Sequence, residues 1–110
     1  MSVLDKIAQR RSTAIKLASL PDVAVFVRAL TAAEFIDMGE RAIKHEGRLA
    51  RKAIEMETAL VDENGQPLLA KGEGQAFMER IAAADYLAID RALDAVNNLN
   101  PATLETAEKN

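Results

Sequence analysis

The chain has 110 residues, a formal net charge of −3, no cysteine and one histidine. A chain of that length fits one domain with a modest core, and the missing cysteines exclude disulfides, thiolate metal sites and cysteine nucleophiles. No segment approaches the 18 uninterrupted apolar residues of a membrane span, and Met1–Lys6 carries an early acid, Asp5, with no apolar run of signal-peptide length, so the expectation is a cytoplasmic protein free of the membrane.

Twenty-one of the residues are alanine, which favours helix strongly but removes little apolar area from water. The core of one copy is therefore expected to be thin, and self-association into a homo-oligomer would add to it. Residues 1–60 carry 10 Lys/Arg against 8 Asp/Glu, and residues 61–110 carry 4 against 9, so a balance of +2 faces one of −5. Such asymmetry suits an ordinary solvated surface and also complementary contacts between subunits.

From the N-terminus, Ile7, Ala8, Ala14, Ile15 and Ala18 approximate helical spacing, but Arg10-Arg11 and Ser12-Thr13 interrupt it. Beyond the break at Leu20-Pro21-Asp22, Val23-Ala24-Val25-Phe26-Val27 is β-branched and aromatic enough for a strand. The best reading of this third is a short β-hairpin pairing Thr13–Ala18 with Val23–Arg28, with residues 1–12 flexible or a short helix.

Thr31-Ala32-Ala33-Glu34 is a capping box, so a helix should start at Ala32. Phe35, Ala42, Leu49, Ala53 and Leu60 then fall on one stripe, which predicts a helix persisting to about Ala59. Asp37/Arg41, Glu40/Lys44 and Arg51/Glu55 are opposite charges four residues apart on its surface. Asp62-Glu63-Asn64-Gly65-Gln66-Pro67 is a turn, because Asn64-Gly65 tolerates positive φ and Pro67 cannot continue a helix.

From Gln75 to about Leu99, the residues Phe77, Met78, Ile81, Ala84, Ala88, Ala92, Val96 and Leu99 mark one apolar face, as one helix or as two broken near Ala82-Ala83-Ala84. Asn100-Pro101 ends it and Pro101–Asn110 reads as a frayed polar tail. The fold class is mainly α, a small helical domain with a short N-terminal β-hairpin, and residues 1–110 read as a single domain.

Chemistry is sparse. His45 reads as a surface residue beside Lys44 and Arg48, with no second histidine for a metal pair. The acids around Asn64-Gly65 miss the spacing of a calcium loop, and Gly72-Glu73-Gly74 lacks the strand and Lys-Ser/Thr of a phosphate loop, so no metal and no cofactor is expected. Glu46 and Asp85 fall in apolar arcs and need partners, read as pairing across a helix or subunit contact. The one constellation of weight is Arg41, Lys44, Arg48, Arg51 and Lys52, an arc of basic residues on the predicted helix that could bind a partner. A small helical nucleic-acid-binding regulator could use this stripe. The acidic pI of about 5.2 and the interleaved Asp37, Glu40 and Glu55 weigh against it.

Three segments carry a family likeness: Phe26-Val27-Arg28-Ala29-Leu30-Thr31-Ala32-Ala33-Glu34, the Leu60-Val61-Asp62-Glu63-Asn64-Gly65-Gln66-Pro67-Leu68 turn, and Ile89–Asn100 with its Glu108-Lys109-Asn110 end. In this order they resemble the tail assembly chaperone family of long-tailed, siphophage-type bacteriophages and prophages, over roughly residues 15–110. Lys71-Gly72-Glu73-Gly74 and the basic helix depart from the family pattern. The resemblance implies a non-enzymatic factor of the host cytoplasm that coats the tape measure protein, helps to recruit tail tube subunits and leaves before the virion is complete. It also implies a short form and a longer frameshifted form that contacts the tube protein; this chain would be the short one, with the slip at Glu108-Lys109-Asn110.

Overall fold

A computed structural model describes residues 2–7, 9–44 and 47–97. Its centre is an antiparallel sheet of three short strands, β1 (Ser12–Ile15), β2 (Val25–Arg28) and β3 (Leu60–Val61), in the order β1-β2-β3. Four α-helices accompany it among the described residues: α1 (Ala32–Ile43), α2 (Arg48–Ala59), α3 (Gly74–Arg80) and α4 (Ala83–Asn97). The chain is mainly α with a small N-terminal hairpin, as its residues predict.

Ser12 pairs with Arg28 and Ile15 with Val25, so the hairpin is shorter than the predicted Thr13–Ala18 on Val23–Arg28. The end near the turn does not pair, because Leu17 is instead withdrawn into the core. Among the described residues a single 3-10 turn, Leu4–Lys6, precedes the hairpin, and Ala14 and Ile15 of the approximate helical spacing lie in β1. The third strand was not expected. Leu60 and Val61 leave α2 directly and pair with Val27 and Phe26.

The turn after β3 follows its sequence. The Asp62 carboxylate accepts the amides of Asn64 and Gln66 at 2.8 and 2.9 Å, and Gly65 takes φ 79. The chain then returns beside β3, with the Leu68 amide donating to the Leu60 carbonyl at 3.1 Å.

Val25 and Val27 point from one face of β2 into the core, where they meet Leu17, Met56 and Ala59 with Leu60 and the α4 residues Ile89, Leu93 and Val96. The buried stripe of α4 thus runs through Asp85, Ile89, Ala92, Leu93 and Val96; Ala84 is exposed and Ala88 half-buried, which rotates the predicted face. The run is two helices, and the break between α3 and α4 lies at Ile81-Ala82, at the first of the predicted alanines. The predicted end at Leu99-Asn100 and the tail lie outside the described residues.

The continuous helix to Ala59 is the main correction. α1 stops at Ile43 and α2 begins at Arg48, with Gly47 at φ 90, a conformation that residues with a Cβ rarely adopt. The predicted stripe is therefore cut: Ala53 and Leu60 are buried, whereas Phe35 and Leu49 are exposed. None of the three predicted four-apart ion pairs forms among the described residues.

Candidate partner-binding groove

The capping box that starts α1 is complete: the Glu34 amide donates to the Thr31 hydroxyl at 3.1 Å and the Thr31 amide to the Glu34 carboxylate at 2.9 Å. The same carboxylate receives the Arg10 guanidinium at 2.8 Å, so the N-terminal segment is tied to the first turn of α1. Farther along, Arg41 reaches Glu57 of α2 at 3.1 Å, and the other oxygen of Glu57 accepts the Gly74 amide at 2.9 Å. One nearly buried carboxylate thereby joins α1, α2 and α3.

These polar ties hold α1 by Glu34 and Arg41, which are half-buried together with Met38 and Ala42, and not one residue of α1 is fully buried. Its apolar side faces outward. Phe35, Ile36 and Ile43 are exposed, and Leu49 at the start of α2 adds to them. An exposed apolar helix face is a mark of an interaction surface rather than of a core element.

Between α1 and α2 lies a groove of about 450 Å³, floored by Met38, Gly39 and Ala42 and edged by Arg48, Arg51, Lys52 and Glu55. A second, of about 390 Å³, lies across α2 and includes Arg41, Lys44, Glu57 and Lys71. The five basic residues predicted as one stripe are thus divided between two grooves. Arg41 is paired with Glu57, and Lys52 with Glu55 and Asp90 at 3.4 and 3.1 Å. Lys44, Arg48 and Arg51 make no ion pair among the described residues, and they supply the cationic edges.

Burial works to lower the Lys52 pKa, but its hydrogen bond to Asp90 and the charges of Glu55 and Asp90 outweigh it and raise the value. Burial raises the Glu55 carboxyl above its ordinary range despite Lys52 beside it. A lysine raised from its ordinary value stays protonated at neutral pH, so Lys52 acts as a fixed positive charge in this cluster.

Asp85 has no basic partner among the described residues, contrary to the expected pairing. Its two oxygens accept the Ala18 and Ser19 amides at 2.9 and 2.8 Å, clamping the loop between β1 and β2 onto α4. The Ser19 hydroxyl and amide, with the Ala18 amide, hold this carboxyl below its ordinary value. Its role is architectural. Glu46 and His45 lie outside the described residues.

A larger groove, about 770 Å³, sits within the hairpin and its loop, where Lys16 and Asp22 are the charged groups among its described lining residues. Among the described residues no three His, Cys, Asp or Glu side chains cluster as metal ligands, and no helix is long and apolar enough to cross a membrane. The apolar surface of α1 is the feature missed by sequence reasoning, and Gly47 was its available signal.

No family model and no curated protein matches the sequence. A solved structure does: the tail assembly chaperone of bacteriophage HK97 superposes with a TM-score of 0.59 at 17% identity, over 80% of this chain and 87% of that one. The hairpin, the exposed α1 and the helices behind it thus belong to a chain that shares its fold with the HK97 tail assembly chaperone.

Proposed function

We propose that this chain is a non-enzymatic phage tail assembly chaperone, a single domain acting in the host cytoplasm, that coats the tape measure protein during tail assembly. The observation that carries the reading is the groove between α1 and α2: an apolar floor of Met38, Gly39 and Ala42, flanked by exposed Phe35 and Leu49 and edged by Arg48 and Arg51. Such a groove suits an amphipathic helix whose apolar stripe is bordered by acids. The shared fold with the HK97 chaperone and the ordered sequence motifs agree with it.

A long helical client exposes apolar surface that aggregates unless covered, and many copies with individually weak contacts cover it tightly but reversibly. Homo-oligomerisation belongs to this reading, motivated by the alanine-rich sequence and by the opposite charge balance of the two halves. Recruitment of tail tube subunits is assigned mainly to a longer frameshifted product.

The test is co-expression with a phage tape measure protein. The wild-type chain should keep the client soluble and co-purify with it, while Phe35→Asp and Leu49→Asp, both at exposed positions, should lose it to the pellet. A client equally soluble without the chaperone, or binding equally to both variants, would sink the proposal. Duplex DNA serves as the competing ligand: with Arg41 and Lys52 neutralised by acids, no gel shift is expected at physiological salt.

A further inference from the structure

α1 is attached differently from the helices beside it. Eight of its twelve residues are exposed and none is fully buried, whereas α2 buries four residues and α4 five. Met38 and Ala42, both half-buried, are its apolar share of the packing on α2. A segment with so little buried apolar surface opens at a free energy well below that of the whole domain.

Its polar ties sit at the two ends and are unequal. In the first turn the Glu34 amide donates to the Thr31 hydroxyl at 3.1 Å, and the Glu34 carboxylate holds Arg10 at 2.8 Å and Arg28 at 3.6 Å. The last turn has one ion pair among the described residues, Arg41 with Glu57 at 3.1 Å. Past that end the chain turns at Gly47, where a Cβ would meet nothing within 4 Å, so no side chain crowds the turn.

The seam between α1 and α2 also separates two clefts. At about 100° per residue, Arg41 and Lys44 lie about 60° and 120° to one side of Met38, and Ala42 and Gly39 about 40° and 100° to the other. The cleft on the Ala42 side measures about 450 Å³ and the one on the Arg41 side about 390 Å³. A helix about 10 Å across fills about 420 Å³ per turn. Each cleft therefore seats about one turn of a client helix, and a longer contact needs the seam itself to open.

We propose that α1 is a flap, pivoted on its first turn and latched by Arg41 on Glu57, and that its last turn lifts off α2 to admit a client helix into the joined clefts. This rests on the chaperone reading above and adds how its groove is entered. Glu57 suits a latch because it keeps the Gly74 amide at 2.9 Å when Arg41 departs, so the carboxylate is never left without a partner. Lifting brings Ala50, Ala53 and Ile54 of the second cleft into one bed with Met38 and Ala42, apolar surface that a client helix covers again.

Hydrogen exchange of the free chain is the first test. Amides of α1 should be at least about 100-fold less protected than those of Ile89 and Leu93, which are buried in α4. Arg41→Gln should lower the protection of α1 about tenfold further and leave Ile89 and Leu93 unchanged. Protection in α1 equal to that in α4 would overturn the flap, and a fall throughout the chain in Arg41→Gln would overturn the latch. Because the chain lacks cysteine, Lys44→Cys with Lys71→Cys, both exposed in the second cleft, can be joined by a short bis-maleimide that a reductant cleaves, tying the last turn of α1 to the loop before α3. A phage tape measure protein diluted from urea should aggregate beside the bridged chain and stay soluble once the bridge is cleaved. A bridged chain that protects as well as the cleaved one would overturn entry by opening and leave the chaperone reading in place. A wild-type chain that never suppresses the aggregation would remove that reading and the client with it, while the exchange measurements still decide whether α1 opens.

Discussion

Replacing Gly74 by alanine should damage the fold far more than the exchange suggests. A Cβ built there would overlap the Ala53 carbonyl oxygen on α2 and stand 2.7 Å from both the Ala53 carbonyl carbon and a Glu57 oxygen. Backbone cannot rotate away as a side chain can, so α3 must move off α2. Overpacking of this kind costs about 1–3 kcal/mol. The shift also stretches the 2.9 Å bond from the Gly74 amide to Glu57, a charge-assisted bond worth about 1.5–3 kcal/mol. Against these, alanine in a helix gains at most about 1 kcal/mol over glycine. The net loss is about 2–4 kcal/mol, or a fall in melting temperature of about 10–25 °C for a domain this small. Gly39 is the control, because a Cβ there meets nothing within 4 Å in the middle of α1. Gly39→Ala should stabilise by about 0.5–1 kcal/mol. Thermal and urea denaturation of both variants decide the matter, and a neutral or stabilising Gly74→Ala would refute the close approach of α3 to α2.

Thr31→Ala should cost about 1 kcal/mol through the lost cap, and Glu34→Ala more, since that carboxylate also anchors Arg10; urea midpoints should rank the two in that order. Asp85 has a folded pKa below its unfolded value of about 3.8, so its contribution is present above that pH and is lost as pH falls through the folded value. Asp85→Asn should therefore be less stable than wild type at pH 7 and show a shallower loss of stability below pH 4, read from melts across that range. Glu55 has the opposite sign: its raised pKa means the ionised form is penalised in the fold as pH rises through the folded value, so Glu55→Gln should match or slightly exceed the wild-type melting temperature at pH 7.

Local chemistry was the most legible part of the sequence. Thr31 and Glu34 announced α1 because a capping box is settled within four residues, and Asp62 with Gly65 announced the turn for the same reason. β3 was illegible: two residues at the end of a helix carry no period, and only their pairing with Phe26 and Val27 makes them a strand. On α4 the sequence shows Asp85 in an apolar arc and Ala92 on the buried face, but not what satisfies Asp85, since its partners are amides 66 and 67 positions away in sequence. A carboxylate whose partners are backbone groups of a distant loop leaves no signature beside it.

The site depended on the element that was read least well. Had the helix from Ala32 continued to Ala59, its apolar residues would have formed one stripe against the core and its cations one stripe toward solvent. Gly47 undoes both at once. By turning the chain at positive φ it lets α2 bury Ala53, Ile54 and Met56 while α1 is held by its polar side, through Glu34 and Arg41, with Phe35, Ile36 and Ile43 left outward. The same turn divides the cations, so that Arg41 and Lys52 become internal ties and Arg48 and Arg51 remain at the rim of an apolar groove. A polyanion would meet too few unpaired cations here, whereas an amphipathic helix would meet apolar floor and charged edge together, which is why the bent arrangement favours a protein client over nucleic acid.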